Sequence, residues 1–594
     1  MVLVIIVSSP FIFNFLPTLR DHNKNKNSTL SQIENERFPT NSNYNGYTNS
    51  SQRRIYFDMS HEQVFSIWDT GYMGYSDFNC MLSDYFLEVS SITQSLSKKI
   101  SNMTKKDILF LNVAKYAQYT TNEINNITHF VERGGKVIII GEHDVGNFSE
   151  FQNPLLEEFG ISITNNDIYD NYNNIMGVNS SVIVDSSFFA LQNISIMFGA
   201  SLNLTKNAFS IANSSNVANF PNAPIMAGYN NSNGGKVFCI TDSEFFWNGN
   251  TSIGGLHYGN NSKLILKVLD WFYNSNLSNL IEDGLKIQPQ YQTFTQKRYS
   301  NFTLNISSTH IFNVTSEIVG GQIYPHSLLN INGMISWDIN VSSNGYITFW
   351  FSKSSHNVNL SLTIYFFTGN TSKQILFLKK YYSREINPTF SGLLNFASAL
   401  VNEGYAVYAS SSNLNYSKFQ TLVISNNLKI ADSIFKNILA HAYNNGTKLL
   451  FLNSPFSSLN IMDLMPASLR MTFSGQQIHK VPINELTSDY GSNFTHYLLC
   501  NDIYVKNNKI YHPKLNGLNE TFYNISCYMP SVVEISETYQ KELFGYNKSW
   551  GDDRSIFGLT KNPGLDEYDI NNTNIFFYKN QVLIGGILNY FTNE

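Results

Sequence analysis

Acidic and histidine side chains follow three short strands that the sequence predicts in the first half of the chain. They are Asp58, His61, Glu62, Glu142, His143, Asp144, Asp242 and Glu244. Carboxylate and imidazole groups bind divalent metals or act as general acids and bases. If the three strands run parallel in one sheet, their carboxyl ends share an edge, and we expect the eight side chains to gather there.

Three interpretations of this group stay open from the sequence. It is a catalytic or metal-binding site, a site that binds a ligand or a partner, or a set of ordinary solvated loops. The last interpretation needs no function, because polar residues collect at strand ends and Asp242 or Ser243 can cap the following turn.

One strand–helix–strand unit, residues 107–144, must position the centre of the group. Its apolar runs Ile108–Leu111 and Val137–Ile140 lack polar alternation, which indicates parallel strands covered on both faces. Between them the sequence predicts a helix, with a capping threonine at its start and a Gly-Gly pair at its end. The helix signals are Thr120 or Thr121, Ile124, Ile127, Phe130, Val131 and Gly134-Gly135. This βαβ crossover places Gly141-Glu142-His143-Asp144 at the carboxyl edge of the sheet.

The flanking segments continue the α/β pattern. The predicted elements are strands at 54–58 and 86–89, helices at 77–85, 153–159 and 263–272, and a buried strand after Gly234-Gly235. Both Gly-Gly pairs precede strands and do not open helices, so we expect turns and not phosphate-binding loops. The Asn-rich stretch between about 162 and 233 shows no clear periodicity.

The order of five segments resembles the GIFT domain, a module with the class I glutamine-amidotransferase-like fold. The segments are FDMSHE (57–62), FVERGGKVIIIGE (130–142), NPLLEEFGISITNND (153–167), GGKVFCITDSEFFWN (234–248) and KLILKVLDWF (263–272). The resemblance covers about residues 54–275. The module is shared by a protein associated with gliding motility and ABC transporters, an intraflagellar-transport subunit and an accessory subunit of oligosaccharyltransferase.

The resemblance implies where a catalytic cysteine would stand, and the chain has none there. Amidotransferase-like enzymes carry the cysteine at the turn after the buried strand, and a histidine and a carboxylate at a later strand end. The first turn reads Gly141-Glu142-His143, and the later strand end reads Thr241-Asp242-Ser243-Glu244. The four cysteines are Cys80, Cys239, Cys500 and Cys527. Cys239 is predicted to be buried, and Cys500 and Cys527 are candidates for a disulfide. We therefore expect no catalytic residue, cofactor or metal.

The predicted fold class is α/β, with two three-layer parallel-sheet domains of the amidotransferase-like type flanking an antiparallel β-sandwich. Residues 53–285 form the GIFT-like domain and 286–370 the sandwich, whose short segments alternate apolar and polar residues. Residues 371–594 form a second, diverged copy with an irregular insertion at about 455–570, because strand, helix, glycine turn and buried strand return in the same order. Two unrelated α/β domains remain the alternative.

Composition indicates export. Residues 1–19 are predicted to be a signal sequence or an N-terminal anchor, and residues 20–52 a disordered tether. Charged residues make up only 14% of the 594. Roughly two dozen Asn-x-Ser/Thr acceptors include Asn102, Asn126, Asn193, Asn301, Asn359, Asn445 and Asn524.

The net charge of −5 and the lack of an evident basic patch argue against nucleic acid as a partner.

These signals together predict an exported, glycosylated, non-catalytic binding or assembly protein, extracellular or at the cell surface. Its partner is a membrane protein complex, of the oligosaccharyltransferase-like or ABC type, or a glycan or peptide ligand, and membrane association runs through the N-terminal segment. One alternative is a metal-assisted hydrolase or lyase using the group around Asp58, His61, Glu142, His143 and Asp242. The other is a structural protein of the cell envelope.

Overall fold

The computed structural model of the chain describes part of the sequence. It covers residues 53–452 except 62–64, 66, 68–73, 86, 93–94, 114–117, 144–147, 176, 249–254, 380–392, 412–413 and 426–432. Beyond residue 452 it covers 484–487, 492–501, 514–517, 525–526, 531–535, 540–545, 549–552, 574–579 and 582–585. The predicted signal or anchor, the tether and most of the predicted insertion lie outside these residues.

The first region contains twelve strands and six helices among the described residues. The strands are β1 Arg54–Asp58, β2 Glu88–Ile92, β3 Ile108–Leu111, β4 Lys136–Ile140, β5 Ile161–Ile163, β6 Asn174–Ile175, β7 Val178–Ser186, β8 Leu191–Met197, β9 Leu202–Leu204, β10 Ala208–Asn213, β11 Pro224–Asn230 and β12 Lys236–Ile240. The helices are α1 Ser76–Asp84, α2 Leu96–Ser101, α3 Thr121–Glu132, α4 Phe148–Leu156, α5 Asn261–Tyr273 and α6 Leu277–Glu282.

The main sheet of this region is mixed. Strands β2, β1, β3, β4 and β12 are parallel neighbours in that order, and β11, β10 and β7 extend the sheet with antiparallel pairings. The carboxyl ends of β1, β3, β4 and β12 therefore share one edge, where the predicted site residues follow. Every residue of β3, β4 and β12 is buried, as their apolar runs predicted.

Helix α3 shows why the sequence folds as a crossover here. Thr120 is its N-cap, and Thr120 and Glu123 form a reciprocal capping box. The apolar stripe of Ile127, Phe130 and Val131 is buried against the sheet. The helix ends at Arg133, and Gly134 adopts a φ of 99°, which a side chain would strain.

The Asn-rich stretch that showed no periodicity holds β5 to β11. Strand β7 mixes buried and exposed positions, and β10 buries only Ile211 and Ala212 and carries register shifts against β11, so neither strand shows a regular apolar alternation. Several turns between the strands place non-glycine residues at positive φ, among them Ala190 and Asn193. Neither feature gives a strong strand signal in the sequence.

Two unusually long strands dominate residues 287–368. The five strands are β13 Ile287–Pro289, β14 Thr293–Gln296, β15 Asn301–Tyr324, β16 Ser327–Lys353 and β17 Val358–Thr368. We expected short strands here, but β15 has 24 residues and β16 has 27. Strand β15 bends around β16, since Asn340 pairs with both Asn301 and Gln322. The bend encloses a core that contains Trp337 and Phe349, whose ring centroids lie 4.6 Å apart.

The remaining strands and helices return to an α/β arrangement. The strands are β18 Gln374–Leu378, β19 Ala406–Ser410, β20 Thr421–Ser425, β21 Lys448–Leu452, β22 Ser492–Asn501, β23 Lys514–Gly517, β24 Ile525–Ser526, β25 Ser531–Ile535, β26 Gln540–Gly545, β27 Ser549–Asp552, β28 Asn574–Lys579 and β29 Val582–Gly585. The helices are α7 Leu394–Asn402, α8 Ser433–Asn444 and α9 Asn484–Thr487.

The strand order of this second sheet repeats that of the first. Strands β19, β18, β20, β21 and β29 are parallel neighbours, and β28, β26 and β23 continue with antiparallel pairings. Strand β14 joins this sheet to β17, because Thr293 pairs with Ala409 on one side and with Tyr365 on the other. The chain is thus an α/β protein with mixed sheets. In the part that the structure describes, no helix combines the length and the apolarity needed to cross a membrane.

Candidate functional site

The first group of site residues is an ion pair after β1. Asp58 is fully buried, and its Oδ2 lies 2.7 Å from Nδ1 of His61. The other ring nitrogen, Nε2, lies 3.3 Å from Oε2 of Glu123, at the start of α3. Ser60 donates to Asp58 through its amide and its hydroxyl group, at 2.9 and 2.7 Å. The imidazole ring therefore ties the turn after β1 to the capping box of α3.

Two neighbouring carboxylates keep His61 protonated. Burial lowers its pKa, but the charge and hydrogen bond of Asp58, followed by those of Glu123, outweigh burial and raise the pKa to about 10. For Glu123, burial raises the pKa, but the hydrogen bonds from His61 and Thr120 prevail and lower it to about 2. His61 is thus a fixed imidazolium. Because both nitrogens face a carboxylate, the ring offers no lone pair to a metal or a substrate.

The second group is a buried set of carboxyl groups at the ends of β4 and β12. The hydroxyl group of Ser243 donates to Oε2 of Glu142 and lies 3.2 Å from Oε2 of Glu244. Asp242 accepts hydrogen bonds from the amides of Met197, at 2.7 Å, and Phe245, at 3.0 Å. The three carboxyl groups therefore hold β4, β8 and β12 together.

Burial is the first cause of a raised pKa at each of these carboxyl groups. Burial and the charge of Glu244 raise the pKa values of Glu142 and Asp242 well above their usual range, and burial also raises the pKa of Glu244. Ser243 is 0% exposed, and Tyr75 closes the group from the other side by donating to the carbonyl of Ser243 at 2.7 Å. A serine flanked by carboxyl groups resembles an activated nucleophile, but a substrate has no access to this one.

His143 connects this buried group to the surface. Its amide donates to Oε1 of Glu142 at 3.0 Å, and its Nδ1 lies 3.1 Å from Oδ1 of Asp167. Its ring stacks on Phe198, with ring centroids 5.3 Å apart. The other carboxylate oxygen of Asp167 accepts a hydrogen bond of 2.8 Å from the hydroxyl group of Tyr169. A continuous polar path therefore runs from Glu142 to an exposed tyrosine.

Beyond Asp167, two loops present an exposed apolar surface. Its members, Tyr169, Tyr172, Val217 and Phe220, have exposed fractions of 38%, 80%, 48% and 41%. We call these four residues the aromatic face. Asn219 joins the loops through two hydrogen bonds. The amide of Tyr169 donates to Oδ1 of Asn219 at 2.8 Å, and the amide of Asn219 donates to the carbonyl of Tyr169 at 2.9 Å. The hydroxyl group of Ser215 adds a hydrogen bond to Asp170. These hydrogen bonds hold the loops in one arrangement before any partner binds.

Of the eight predicted site residues, the six described ones fall into two groups. Asp58 and His61 form one group, and Glu142, His143, Asp242 and Glu244 form the other. Glu62 and Asp144 lie outside the described residues. Three further residues complete the groups, namely Glu123, Asp167 and Ser243. The capping pattern predicts a glutamate at Glu123 but not its reach to His61, and Asp167 lies in a loop without any sequence signal.

The cysteines and the possible metal ligands were compared with the needs of a catalytic or metal site. Cys80 lies in α1 and Cys239 inside β12, and neither forms a disulfide. Burial raises the pKa of Cys239 to about 12, so its thiol is unreactive. The predicted Cys500–Cys527 disulfide lies outside the described side chains. Among the residues that the structure describes, no set of three or more His, Cys, Asp or Glu has the geometry to hold a metal ion.

The chain shows only limited similarity to known proteins. No family model matches the chain, and no curated protein matches it. Among solved structures, the N-terminal domain of mmIFT52 is 23% identical, with a TM-score of 0.32, over 37% of this chain and 96% of that domain. A GH5 xyloglucanase from Bacteroides ovatus is 12% identical over 30% of this chain and 47% of its own, with a TM-score of 0.12. A family 123 glycoside hydrolase from Clostridium perfringens is 9% identical over 28% and 48%, with a TM-score of 0.11.

Proposed function

We propose that the chain is a non-catalytic binding and assembly protein that holds a partner protein on its aromatic face. The aromatic face is the observation that carries this proposal. Tyrosine and phenylalanine dominate the energetics of protein interfaces, and Tyr172 exposes 80% of its surface in a loop fixed by hydrogen bonds. A fixed loop loses little conformational entropy when a partner binds, which favours affinity.

The strand-end groups support binding over catalysis. A general acid or base needs a group within reach of a substrate and a pKa near the working pH. His61 is held as an imidazolium between Asp58 and Glu123, and Ser243 is buried between two carboxyl groups. A metal-assisted hydrolase or lyase, the alternative from the sequence, would need these groups to face one cleft. The hydrogen bonds of His61 and Ser243 instead link neighbouring strands and loops.

For the finer fold, we propose two amidotransferase-like domains flanking a β-sandwich, the first related to GIFT domains. The shared strand order of the two sheets supports an internal duplication, because unrelated α/β domains have no reason to share eight successive positions, including three antiparallel ones. The resemblance to GIFT domains rests on the sequence segments between residues 57 and 272. It suggests a partner within a membrane protein complex.

We also propose that the protein is exported and glycosylated at the cell surface. Four of the seven predicted acceptors are exposed, namely Asn193, Asn301, Asn359 and Asn445. Asn102 and Asn126 are partly buried, and Asn524 lies outside the described residues. An exposed asparagine in a strand or turn is accessible to a glycosyl-transfer enzyme, so this placement supports the proposal.

Co-purification from native membranes tests the proposed function. The full chain and a Tyr172→Ala, Phe220→Ala variant are each expressed with an affinity tag, and the retained proteins are identified by mass spectrometry. We expect the wild type to retain a partner and the variant to lose at least tenfold of it, since buried aromatic contacts at an interface cost about 2 kcal/mol each on truncation to alanine.

A matched variant controls for a general loss of aromatic surface. Tyr299 and Tyr324 are 73% and 72% exposed and lie outside the aromatic face. Their replacement by alanine should leave the retained partner unchanged. Equal retention by the wild type and the Tyr172→Ala, Phe220→Ala variant would show that the face binds no partner.

A further inference from the structure

A cleft of about 560 Å³ opens on the two long strands β15 and β16. Its lining comes from β15 and from stretches at the two ends of β16, which are neighbours because Val314 of β15 pairs with both Leu328 and Phe351. We call it the polar cleft, and its lining residues are 309–313, 330, 332 and 352–355. It shares no residue with the strand-end groups or the aromatic face.

A bulge in β15 forms one wall of the polar cleft. Residues 309–311 interrupt the pairing of β15 with β16. The hydroxyl group of Ser308 donates to the carbonyl of His310 at 2.9 Å and accepts from its amide at 3.2 Å. The amide of Thr309 donates to the carbonyl of Lys286 at 3.2 Å, and its hydroxyl group accepts from the amide of Lys286 at 3.1 Å. These four hydrogen bonds fix the wall before a ligand binds, which lowers the entropic cost of binding.

The lining carries hydrogen-bonding groups that the protein does not use. Nε2 of His310 is buried and has no hydrogen-bond partner among the residues that the structure describes. Asn330 and Asn332 are exposed, and within the same residues their side-chain amides form no hydrogen bond. Asn313 uses only its Oδ1, which accepts from the amide of Asn330 at 3.0 Å. Buried polar atoms in native proteins are nearly always bonded, so a ligand that brings hydroxyl groups would supply the missing partners.

The charge of the polar cleft is positive. Lys353 is half-buried and forms no ion pair in the described part of the chain. The lining contains no aspartate or glutamate. Divalent cations such as Ca²⁺ bind mainly through carboxylate oxygens, so this lining does not suit one. An anionic group on a ligand would instead compensate the charge of Lys353.

The backbone and the apolar part of the lining favour a saccharide over a peptide. A peptide that adds to a sheet needs a free strand edge, but β15 is paired on both sides at the cleft, with Ile331 opposite Phe312 and Ser352 opposite Asn313. Ile311 lines the cleft and exposes 52% of its surface. A sugar ring has hydroxyl groups at its rim and C–H groups on its faces, and therefore matches asparagine amides beside an isoleucine.

We propose that the polar cleft binds an acidic saccharide, an oligosaccharide in which one sugar carries a carboxylate. The amides of Asn330 and Asn332 bond its hydroxyl groups, and Lys353 binds the carboxylate. The inference goes beyond the proposed function, because it concerns a different surface and a different class of ligand. Loss of the partner protein from the aromatic face would leave it unaffected.

Binding of the full chain to an array of immobilised saccharides tests the inference. The array carries two pairs, trigalacturonate with galactotriose and sialyllactose with lactose, and the first member of each pair has the carboxylate. We expect at least one carboxylated saccharide to bind at least tenfold more tightly than its neutral counterpart, and this difference to shrink at high salt. Polyglutamate, an acidic polypeptide without sugar rings, should not compete.

Two variants separate the parts of the site. Asn330→Ala, Asn332→Ala removes the exposed amides and should weaken binding of the carboxylated saccharide at least tenfold. Lys353→Gln keeps a hydrogen-bond donor without the charge and should reduce binding to that of the neutral counterpart. Asn207 and Lys297 are exposed and lie outside the cleft, so Asn207→Ala, Lys297→Gln should bind as the wild type does. Thermal unfolding midpoints equal to that of the wild type show that each variant is folded.

Four results would overturn the inference. They are a wild-type chain that binds neither carboxylated saccharide, equal binding of the neutral counterparts, competition by polyglutamate, and unchanged binding by both cleft variants. Asn313 also begins an Asn-x-Thr triplet, so a glycan attached to it would itself fill the cleft. Mass spectrometry of the native protein should find Asn313 unmodified, and a glycan there would contradict a site for a separate saccharide.

Discussion

The imidazolium of His61 is a brace whose strength depends on pH. Its folded pKa of about 10 lies above the ordinary value of 6.5, so its contribution is full below about pH 6.5 and is lost as the pH rises through 10. Glu123, with a folded pKa of about 2 against 4.5, contributes above about pH 4.5 and loses its contribution as the pH falls through 2. The pair is therefore strongest near pH 5 to 6.

We expect His61→Gln to destabilise the first sheet by about 3 kcal/mol at about pH 6, because it leaves Asp58 buried without its charged partner. At about pH 10 the difference should shrink, since the wild type has by then lost much of the same charge. Amide hydrogen exchange of peptides covering β1 and α3 measures both values. His257→Gln is the matched control, because His257 pairs with Asp77 on an exposed surface and should change exchange little. Equal effects of His61→Gln at both pH values would refute the ion pair.

The raised pKa of Glu142 makes the protein less stable at high pH, whereas the lowered pKa of Glu123 makes it less stable at low pH. A folded pKa well above the ordinary 4.5 means that stability falls as the pH rises above that value. We expect Glu142→Gln, which keeps the shape and cannot ionise, to raise the urea midpoint at about pH 8 by the equivalent of about 1 kcal/mol and to be neutral at about pH 4. Glu132→Gln on the exposed face of α3 should show no such dependence. A loss of stability at pH 8 would mean that Glu142 is ionised in the native protein.

At the residue scale, the sequence predicted which site residues follow the strands but not which side chains they contact. Placing Asp58, Glu142 and Asp242 after strands followed from the apolar runs alone. The sequence left open whether these residues react or only bond to one another, because that depends on Glu123, Ser243 and Asp167 reaching them from other elements. Such contacts are set by side-chain geometry across the sheet edge, which has no local pattern.

Among the elements, the two Gly-Gly turns that lead into β4 and β12 pack against each other. A Cβ atom on Gly235 would lie 1.8 Å from the carbonyl oxygen of Val131, and one on Gly134 would lie 2.9 Å from the carbonyl oxygen of Asn233. Gly234 has a φ of 81°, but a Cβ atom added there would meet no other atom within 4 Å. The atom that a Cβ on Gly235 would meet belongs to the backbone, which cannot shift at low cost. At Gly234 an added Cβ would only strain the backbone dihedral angle.

We therefore expect Gly235→Ala to destabilise the first sheet by about 3 kcal/mol or more and Gly234→Ala by only about 1 kcal/mol. Thermal unfolding midpoints of the two variants, measured side by side, give the comparison. The pair is its own control, because both changes add the same methyl group to neighbouring residues. Similar midpoints for the two variants would contradict the close contact between the turns.

Elements with a strong period were predictable, and those without one were not. The strands at 54–58, 108–111 and 137–140 lie where the apolar runs placed them, and Thr120 caps α3. The stretch from 162 to 233 was missed because β7 mixes buried and exposed positions and β10 is mostly half-buried with an irregular register. The strand predicted at 86–89 is described as β2 Glu88–Ile92, and its later residues were missed because Ser90 and Ser91 are polar although both are buried.

At the scale of the whole molecule, two sheets with the same strand order carry different residues at equivalent positions. The carboxyl groups at the ends of β4 and β12 belong to the first sheet, while the strands at the same places in the second sheet, β21 and β29, end at Leu452 and Gly585. Comparing the two sheets separates what the fold requires from what was added to it. That separation was out of reach of the sequence, where only β18 to β21 and β29 gave a recognisable pattern.

Glycan mapping tests the proposal of export. We expect Asn193, Asn301, Asn359 and Asn445 to carry glycans in protein from its native source, because all four are exposed. Asn102 should be modified less, since it is only partly exposed. Enzymatic deglycosylation followed by mass spectrometry reads out each site. Unmodified asparagine at all four exposed positions would contradict a glycosylated cell-surface protein.

The central claim is that the aromatic face holds a partner protein while the strand-end groups only brace the fold. Site-specific photo-cross-linking in cells that produce the full chain tests it most directly, with the photoreactive group at position 172 or, as a control, at position 299. Both tyrosines are largely exposed, so both positions accept the group without disturbing the core. The account predicts one cross-linked partner protein from position 172 and none from position 299. No adduct from position 172, or the same adducts from both positions, would contradict it.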